Sequence, residues 1–312
     1  MSIEALPADM SEAAPVARRP GTVRKLVRNP SVVIGATIVA ILALVGLFAP
    51  LLGTIDPAEI NPVFRNKKPG VERTIRSDDG KEVAFVHRFG TDSLGRDVYS
   101  RAVYGARVSL IIGVTVAVLS VAVGLTIGLV AGYIRWLDGI IMRVMDGLMA
   151  IPAILLAMGV VSLSRAGLVA VVIAIVIPDI PRVVRLVRSI VLSIREEPYV
   201  EAAITVGTPT PTLLVRHVLP NTVAPLIVQG TFICGSAILI EAVLSFLGIG
   251  IPPETPTWGN IMAEGRAFFQ IKPSLIFWPG LMLSIAILSV NLIGDAARDA
   301  LDPRMKRREG GK

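Results

Sequence analysis

The stretch that decides the fold occupies residues 108–134 and reads VSLIIGVTVAVLSVAVGLTIGLVAGYI, without one charged side chain. A helix rises 1.5 Å per residue, so about 20 apolar residues are enough to cross the hydrocarbon core of a bilayer. This run exceeds that length. It therefore predicts a helix that spans a membrane.

The same run carries glycines at a regular spacing of four residues, at Gly124, Gly128 and Gly132. Residues four apart share one face of a helix, and small residues there allow a second helix to approach closely. Glycine is also common in membrane helices in general. Both interpretations, a docking face and ordinary composition, are open at this point.

The composition agrees with a membrane protein. Of the 312 residues, 53% are hydrophobic and 18% are charged, and the mean hydropathy is +0.69. Soluble domains carry roughly 25% charged residues. The net charge of +7 sits beside apolar runs and forms no patch interleaved with aromatic residues, which argues against nucleic acid and for contact with membrane lipid.

Further apolar runs predict additional spans, which together give an all-α, polytopic membrane protein with six transmembrane helices. The N-terminal part, Met1–Pro30, is polar, and we interpret it as a cytoplasmic tail rather than a signal peptide. The other predicted spans are Val32–Leu52, Gly147–Ser164, Ala166 to about Pro178, Val223–Leu247 and Phe277–Ile293.

The third and fourth spans contain prolines. Pro152 predicts a kink in the third span. In the fourth, two prolines and two charges between Pro178 and Arg182 predict a kinked helix that reaches the interface or lines a watery interior. We favour a simpler interpretation for Arg182, Arg185 and Arg188, as the cytoplasmic end of a tilted helix.

Lys and Arg residues orient the bundle, because cytoplasmic links carry more of them. They cluster between spans two and three, between spans four and five, and after span six. Both termini are therefore expected in the cytoplasm, and the polar loop Gly53–Arg101 outside. The predicted organisation is a tail at 1–30, a first helix and outer loop at 31–100, five helices at 101–300 and a tail at 301–312.

The link between spans four and five, residues 195–220, contains the most informative pattern. Pro198 to Val206 suits a short helix, and Gly207 permits the positive φ that ends one. Thr208 to Pro211 favours a turn, and Thr212 to Val218 suits a second short helix before Pro220. Such a segment could pass motion from a docked soluble partner into the membrane. Its assigned residues are Glu201, Ala202, Ala203, Gly207, His217, Leu219 and Pro220.

This spacing, Glu-Ala-Ala-x3-Gly followed after eleven residues by Leu-Pro, resembles the signature of the permease subunits of type I ABC importers. The resemblance implies the type I importer fold, with this segment as the coupling helix that inserts into a groove on an ATPase. It also implies two ATPase subunits, a second permease in a heterodimer and an extracytoplasmic binding protein. The sequence has no Gly-x4-Gly-Lys-Ser/Thr phosphate loop. We therefore expect ATP and Mg²⁺ on the partners, and neither catalysis nor a cofactor in this chain.

Three further stretches are similar to the C-type permease of dipeptide, oligopeptide and nickel importers, and imply a peptide substrate at the cytoplasmic (inner) membrane. They are Phe89–Leu110, Pro256–Asn260 and Asn291–Arg304. Glycine and aspartate also build turns, and Arg96 could pair with Asp92 or Asp97 at the surface. The motif before the second span consists of Gly90, Thr91, Asp92, Gly95, Arg96 and Asp97.

Several alternatives remain open. Nickel or glutathione could replace peptide as the substrate, and the substrate itself is not specified by the sequence. An intramembrane enzyme would need paired polar groups at membrane depth, for which Asp179 and Glu241 are the candidates, on separate spans. An autonomous channel would not need the Glu-Ala-Ala segment. The chain has one cysteine, Cys234, and two distant histidines, His87 and His217, which argues against a metal cluster.

Overall fold

The computed structural model describes residues 29–76, 82–164 and 167–301. Nearly all of the two predicted tails therefore lies outside the described residues. The helices are α1 (Pro30–Leu47), α2 (Val98–Tyr133), α3 (Arg135–Ala150), α4 (Ala153–Leu163), α5 (Leu168–Arg195), α6 (Pro198–Thr205), α7 (Thr210–Leu213), α8 (Leu219–Phe246), α9 (Trp258–Gly265) and α10 (Ser274–Leu301).

Four helices of the described chain, α1, α2, α10 and the continuous α7–α8 segment, are long and apolar enough to cross a membrane. A fifth candidate results if α3 and α4 are counted together as one broken span. The 28-residue α5 is long enough but carries Asp179, Arg182 and Arg185 in its first 18 residues. The fourth predicted span, which falls on α5, therefore stays a prediction, and with it the total of six.

Helix α2 is longer than the apolar run that predicted it, because it begins at Val98 and has 36 residues. Asp97 caps its N-terminus, and its carboxylate accepts a hydrogen bond from the Ser100 backbone N–H at 2.7 Å. The predicted outer loop Gly53–Arg101 is therefore too long at its C-terminal end. Its last four residues form the first turn of α2.

The glycine face of α2 is a docking face. A Cβ atom on Gly124 would lie 2.5 Å from Cβ of Val183, and one on Gly128 would lie 2.7 Å from Cβ of Val187. A Cβ atom on Gly132 would lie 2.6 Å from Cβ of Val191. The glycines thus allow α5 to pack against the backbone of α2, and the main apolar core forms between α2, α5 and α8.

The predicted third span, Gly147–Ser164, is not one helix. Helix α3 ends at Ala150 and α4 begins at Ala153, with their axes bent by 91°. The residue before a proline avoids the helical region, and Ile151 before Pro152 is extended, with φ −93° and ψ 129°. Proline therefore breaks the helix rather than kinking it, and α4 has only 11 residues.

Helix α5 runs from Leu168 to Arg195 through both Pro178 and Pro181, which lie inside it and are buried. The fourth span therefore does not end at Pro178. Arg185 and Arg188 bind Asp146 and Asp138 of α3, at 2.5 Å each. These ion pairs connect the C-terminal half of α5 to the amphipathic helix α3.

The outer loop contains strands that the all-α prediction missed. β1 (Val71–Arg76) pairs antiparallel with β2 (Glu82–His87), with Val71 opposite His87. The connection between the strands lies outside the described residues. The loop therefore holds a β-hairpin on an otherwise helical protein.

Candidate functional site

The Glu-Ala-Ala segment forms the short helix α6, with Pro198 in its first turn, where a missing N–H is tolerated. The helix ends at Gly207, whose φ is +83°. The N–H of Gly207 donates to the Ile204 carbonyl at 2.9 Å, and that of Thr208 donates to the Ala203 carbonyl at 3.0 Å. These two bonds make a Schellman motif, so the predicted helix-ending role of Gly207 is confirmed.

The second half of the segment differs from the prediction. Helix α7 begins at Thr210 and continues through a π-helical turn, Leu214–Val218, directly into α8 at Leu219. No separate short helix ends before Pro220. Pro220 cannot donate the usual hydrogen bond to the carbonyl four residues earlier, and the wider turn before it accommodates this gap.

Helix α6 has one packed face and one open face. Val200 is fully buried and belongs to the main core together with Leu213 and Val218. On the open face, Ile204 is 48% exposed and Val206 is 87% exposed. Glu201, Ala202, Thr205 and Gly207 are exposed as well. The segment is thus rigidly anchored yet presents apolar side chains that nothing in the described chain covers.

His217 lies beside this anchor rather than on the open face. Its ring is 6.2 Å from that of Tyr199 on α6, and its carbonyl accepts a 2.7 Å hydrogen bond from the Asn221 side chain. The C-terminal end of α2 also contacts the segment, because the hydroxyls of Tyr133 and Thr210 lie 3.3 Å apart. A displacement of α6–α7 would therefore be transmitted to α2, α5 and α8.

The motif before α2 forms a buried cluster that we call the outer clasp, residues 90–101 with Glu264. Gly90 and Gly95 adopt φ of +79° and +80°. A Cβ on Gly95 would overlap the Asn61 carbonyl oxygen, and one on Gly90 would overlap the Lys67 carbonyl oxygen. Both glycines are thus required by backbone conformation and by close contact with the preceding loop.

Charges are paired at the centre of the outer clasp. Arg96 donates from Nε to Asp92 at 2.7 Å, to the Pro253 carbonyl at 3.1 Å, and to Glu264. Arg101 also donates to Glu264, at 3.2 Å. Burial raises the pKa of Glu264 above its ordinary value, although Arg101 beside it favours the ionised carboxylate. The expected surface pairing of Arg96 is wrong in one respect, because Arg96 is only 3% exposed.

Asp97 pairs with a histidine instead of with Arg96. Its Oδ1 lies 2.8 Å from Nδ1 of His87 at the end of β2, and both side chains are fully buried. The other carboxylate oxygen accepts the Ser100 hydroxyl at 2.6 Å. Thr91 accepts a 2.8 Å hydrogen bond from the Lys67 N–H. The motif therefore ties the hairpin, the start of α2 and helix α9 into one unit.

Glu241 lies in the last turns of α8, near the end next to α9. It is fully buried and accepts a hydrogen bond from the Ser245 hydroxyl at 2.8 Å. The stretch Pro256–Asn260 covers this end, where the Trp258 indole donates to the Ala102 carbonyl at 3.1 Å. Glu241 thus faces protein.

Asp179 lies in the middle of α5 and is 1% exposed. Its carboxylate accepts a hydrogen bond from Arg182 at 3.1 Å. Asp179 and Glu241 have different partners on different helices, so the structure does not bring them together as a catalytic pair. In the described part of the chain, no three His, Cys, Asp or Glu side chains are placed to hold a metal ion.

Sequence reasoning missed two members of the outer clasp. Glu264 lies 168 residues from Arg96 along the chain, so no local pattern links them. Arg101 lies at the end of the predicted polar loop, where an exposed side chain is expected. The Gly-Arg-Asp triplet signalled a built turn, and the helical continuation after Asp97 could have indicated that Arg101 faces inward.

Two family models match the chain. One, described as binding-protein-dependent transport system inner membrane component, matches residues 124–307, which include α6, Asp179 and Glu241. The other, described as N-terminal TM domain of oligopeptide transport permease C, matches residues 21–69.

Whole-chain relatives agree with these models. A Sinorhizobium fredii protein named "Probable peptide ABC transporter permease protein" is 47% identical over 97% of this chain and 99% of its own length. A dipeptide transport system permease of Alkalihalophilus pseudofirmus is 40% identical over 91% of this chain and 89% of its own length. A glutathione transport system permease of Pectobacterium atrosepticum is 42% identical over 70% of this chain and 73% of its own length.

One solved structure supports the fold. A chain of the MetNI methionine ABC transporter in an inward-facing conformation superposes with a TM-score of 0.52. The alignment covers 64% of this chain and 96% of that one, at 18% identity. The membrane helices, the matching family models and the whole-chain relatives lead to one conclusion. This chain is a multi-pass inner-membrane permease subunit and belongs to the binding-protein-dependent transport family.

Proposed function

We propose that the chain forms part of the path by which an ATP-driven importer carries di- or oligopeptides across the cytoplasmic membrane. The support is the naming of whole-chain relatives as peptide and dipeptide permeases, together with the match to a permease C model. A glutathione permease is also among the relatives. Glutathione is itself a peptide, so that alternative lies within the proposed substrate class.

The observation that carries the mechanism is the open face of α6. Its apolar side chains, Ile204 and Val206 among them, are exposed, while its other face is fixed in the main core by Val200. An apolar surface on a rigid support is typical of a protein–protein contact. We assign this surface to the groove of an ATPase subunit. The Schellman end at Gly207 sets the angle at which the helix is presented.

The remaining partners are proposed from the family to which the chain belongs. Two ATPase subunits bind and hydrolyse ATP with Mg²⁺, a second permease completes the path, and an extracytoplasmic binding protein delivers substrate. Closure of the ATPases moves α6 and α7, and the spans alternate between inward-open and outward-open states. In this orientation both termini lie in the cytoplasm, and the outer clasp and the hairpin face the binding protein.

Transport in a reconstituted system tests the proposal. The chain is co-expressed with the other subunits of its importer. The complex is placed in liposomes and supplied with binding protein and labelled dipeptide. Uptake that requires both ATP and the ATPase subunits is expected. Uptake without ATPase subunits would indicate a channel, and release of cleaved peptide would indicate an enzyme; either result would refute the proposal.

A further inference from the structure

A polar cavity lies between α5, α8 and α10. Its volume is about 320 Å³, at the lower end of the roughly 300–1,000 Å³ typical of small-molecule sites. The polar residues that line it are Arg182 from α5, Gln229 and Ser236 from α8, and Asn291 from α10. Each falls in the middle third of its 28-residue helix, and α8 and α10 belong to the candidate membrane spans.

The guanidinium of Arg182 is held at one side and free at the other. One nitrogen donates to Asp179 at 3.1 Å, and Asp179 is almost completely buried behind it. The Arg182 side chain itself is 50% exposed. Since a guanidinium has five N–H donors, this single bond leaves a fork of donors for an anionic group.

The two amides in the cavity are also uncommitted. Among the hydrogen bonds within the described residues, none involves the side chain of Gln229 or Asn291. Gly235 leaves room for Asn291, because a Cβ there would lie 3.0 Å from Asn291 Oδ1. Polar groups without partners are costly at membrane depth and are a mark of transport pathways.

The chemistry of the lining selects one class of ligand. A free carboxylate matches the Arg182 fork, and primary amides can both donate to and accept from a peptide backbone. The only charge that lines the cavity is the cation of Arg182, which disfavours a metal cation.

We infer that this cavity is a contact site for the transported peptide, in which Arg182 binds the peptide α-carboxylate and Gln229 and Asn291 pair with its backbone. The inference rests on the proposed function and adds the substrate chemistry and the residues that recognise it. Asp179 is a positioning residue, which holds the Arg182 side chain at the cavity wall.

The test uses the complete reconstituted importer with binding protein saturated by either a dipeptide or the same dipeptide with an amidated C-terminus. Wild type is expected to move the free acid faster than the amide. In Arg182→Gln, uptake of the free acid should fall about 10- to 100-fold, the range for one charge-assisted hydrogen bond, and the preference should vanish. Stimulation of the ATPase by loaded binding protein should persist.

Arg185→Gln is the matched control, because Arg185 lies three residues further on the same helix and binds Asp146 outside the cavity. It should keep both the rate and the preference. The double variant Asp179→Asn with Arg182→Gln removes both charges of the buried pair. A persistent transport defect in the double variant supports the carboxylate contact, whereas restored wild-type uptake and preference would overturn it.

If Arg182→Gln does not accumulate in the membrane, Gln229→Leu and Asn291→Leu carry the test, and wild-type uptake in both would overturn the inference. Loss of the second permease from Arg182→Gln, with the preference unchanged in the remaining complex, would assign Arg182 to that interface and also overturn it. A wild-type importer that moves no peptide would refute the proposed function, and this inference with it.

Discussion

Two regions of this permease contain the strongest sequence motifs, and they differ in whether the side chains of the motif bind partners within the chain. In the outer clasp, Asp92 and Arg96 are buried, and together with the 18% exposed Glu264 they bind one another or backbone carbonyls of the same chain. In the α6 segment, Glu201, Ala202 and Gly207 are exposed. Val206 is 87% exposed, so another molecule can contact it. The motif before α2 therefore has a structural role, whereas the role that we propose for the Glu-Ala-Ala segment is docking.

The comparison predicts that substitutions in the outer clasp reduce the stability of the chain, whereas substitutions on the open face of α6 reduce only its coupling to partners. The largest effect is expected for Asp92→Asn. It removes the carboxylate charge that lies 2.7 Å from Arg96 and 3.8 Å from Arg101. Loss of one partner of a buried ion pair costs about 3–5 kcal/mol.

Thermal unfolding of the detergent-purified protein measures this loss. Glu59→Gln is the control, because it breaks the ion pair with Arg73 in which Glu59 is 39% exposed. That change should cost no more than about 1 kcal/mol. Equal losses of thermal stability in the two variants would contradict the structural role of the outer clasp.

The next prediction compares two glycine-to-alanine changes, one at a crowded site and one at an open site, and so separates the cost of crowding from the cost of backbone strain. Gly95 and Gly70 both have positive φ, at +80° and +88°. A Cβ at Gly95 overlaps the Asn61 carbonyl, whereas a Cβ at Gly70 has nothing within 4 Å. Gly70→Ala should cost about 1–2 kcal/mol from strain alone. Gly95→Ala should cost more, by a further 1–3 kcal/mol or so from overpacking.

Membrane levels and melting temperatures of the two alanine variants give the comparison. If Gly95→Ala melts at the same temperature as Gly70→Ala, the close approach of residues 61 and 95 is not part of the folded state.

A third pair of variants compares the two ends of the bundle directly. Gly207 and Gly248 have φ of +83° and +80°, close a helix in the same way, and have open space around them. Valine at either site should therefore cost about 1–3 kcal/mol of local strain. Only Gly207→Val should reshape the presentation of α6, and so lower ATPase retention and peptide uptake while the protein remains in the membrane.

Co-purification of the ATPase and uptake are measured for both valine variants at equal membrane levels. Wild-type uptake with full ATPase retention in Gly207→Val would refute the assignment of the coupling segment. So would an equal loss of ATPase from Gly248→Val, since that site lies at the opposite end of α8.

The smallest effect on stability is expected for Val206→Asp. Val206 is 87% exposed, and surface changes of this kind usually stay within about ±0.5 kcal/mol. Its melting temperature should match that of Val83→Asp, a change on the exposed side of β2. ATPase binding, measured by co-purification, should nevertheless weaken for Val206→Asp alone. Unchanged binding would place the ATPase contact elsewhere.

The sequence was sufficient for those features that depend on local patterns. Uncharged runs located α1, α2, α8 and α10, the four-residue glycine spacing offered one face of α2 for close packing, and Gly207 located the end of α6. The hairpin was missed although Asp79-Gly80, between two runs rich in β-branched residues, is a turn signal. Most of the amphipathic helix α3, up to the predicted start of the third span at Gly147, was expected to be a link, because its apolar residues share only one face.

Long-range pairings could not be predicted in this way. Glu264 meets Arg96 and Arg101 only because α9 folds back over the start of α2. The Arg182 cavity likewise combines residues of three helices, so its polar members are scattered along the sequence. Arg182 was therefore interpreted as part of a helix end, whereas the structure places it in mid-helix beside a buried aspartate.

The assignment of α6 as the ATPase contact is tested most directly by site-specific photo-crosslinking in the assembled importer. A photoreactive residue is placed at Val206 and, as the control, at Val86 of the hairpin, which is 42% exposed. The account predicts a crosslink from position 206 to an ATPase subunit and none from position 86. A crosslink to the ATPase from position 86 but not from position 206 would contradict it.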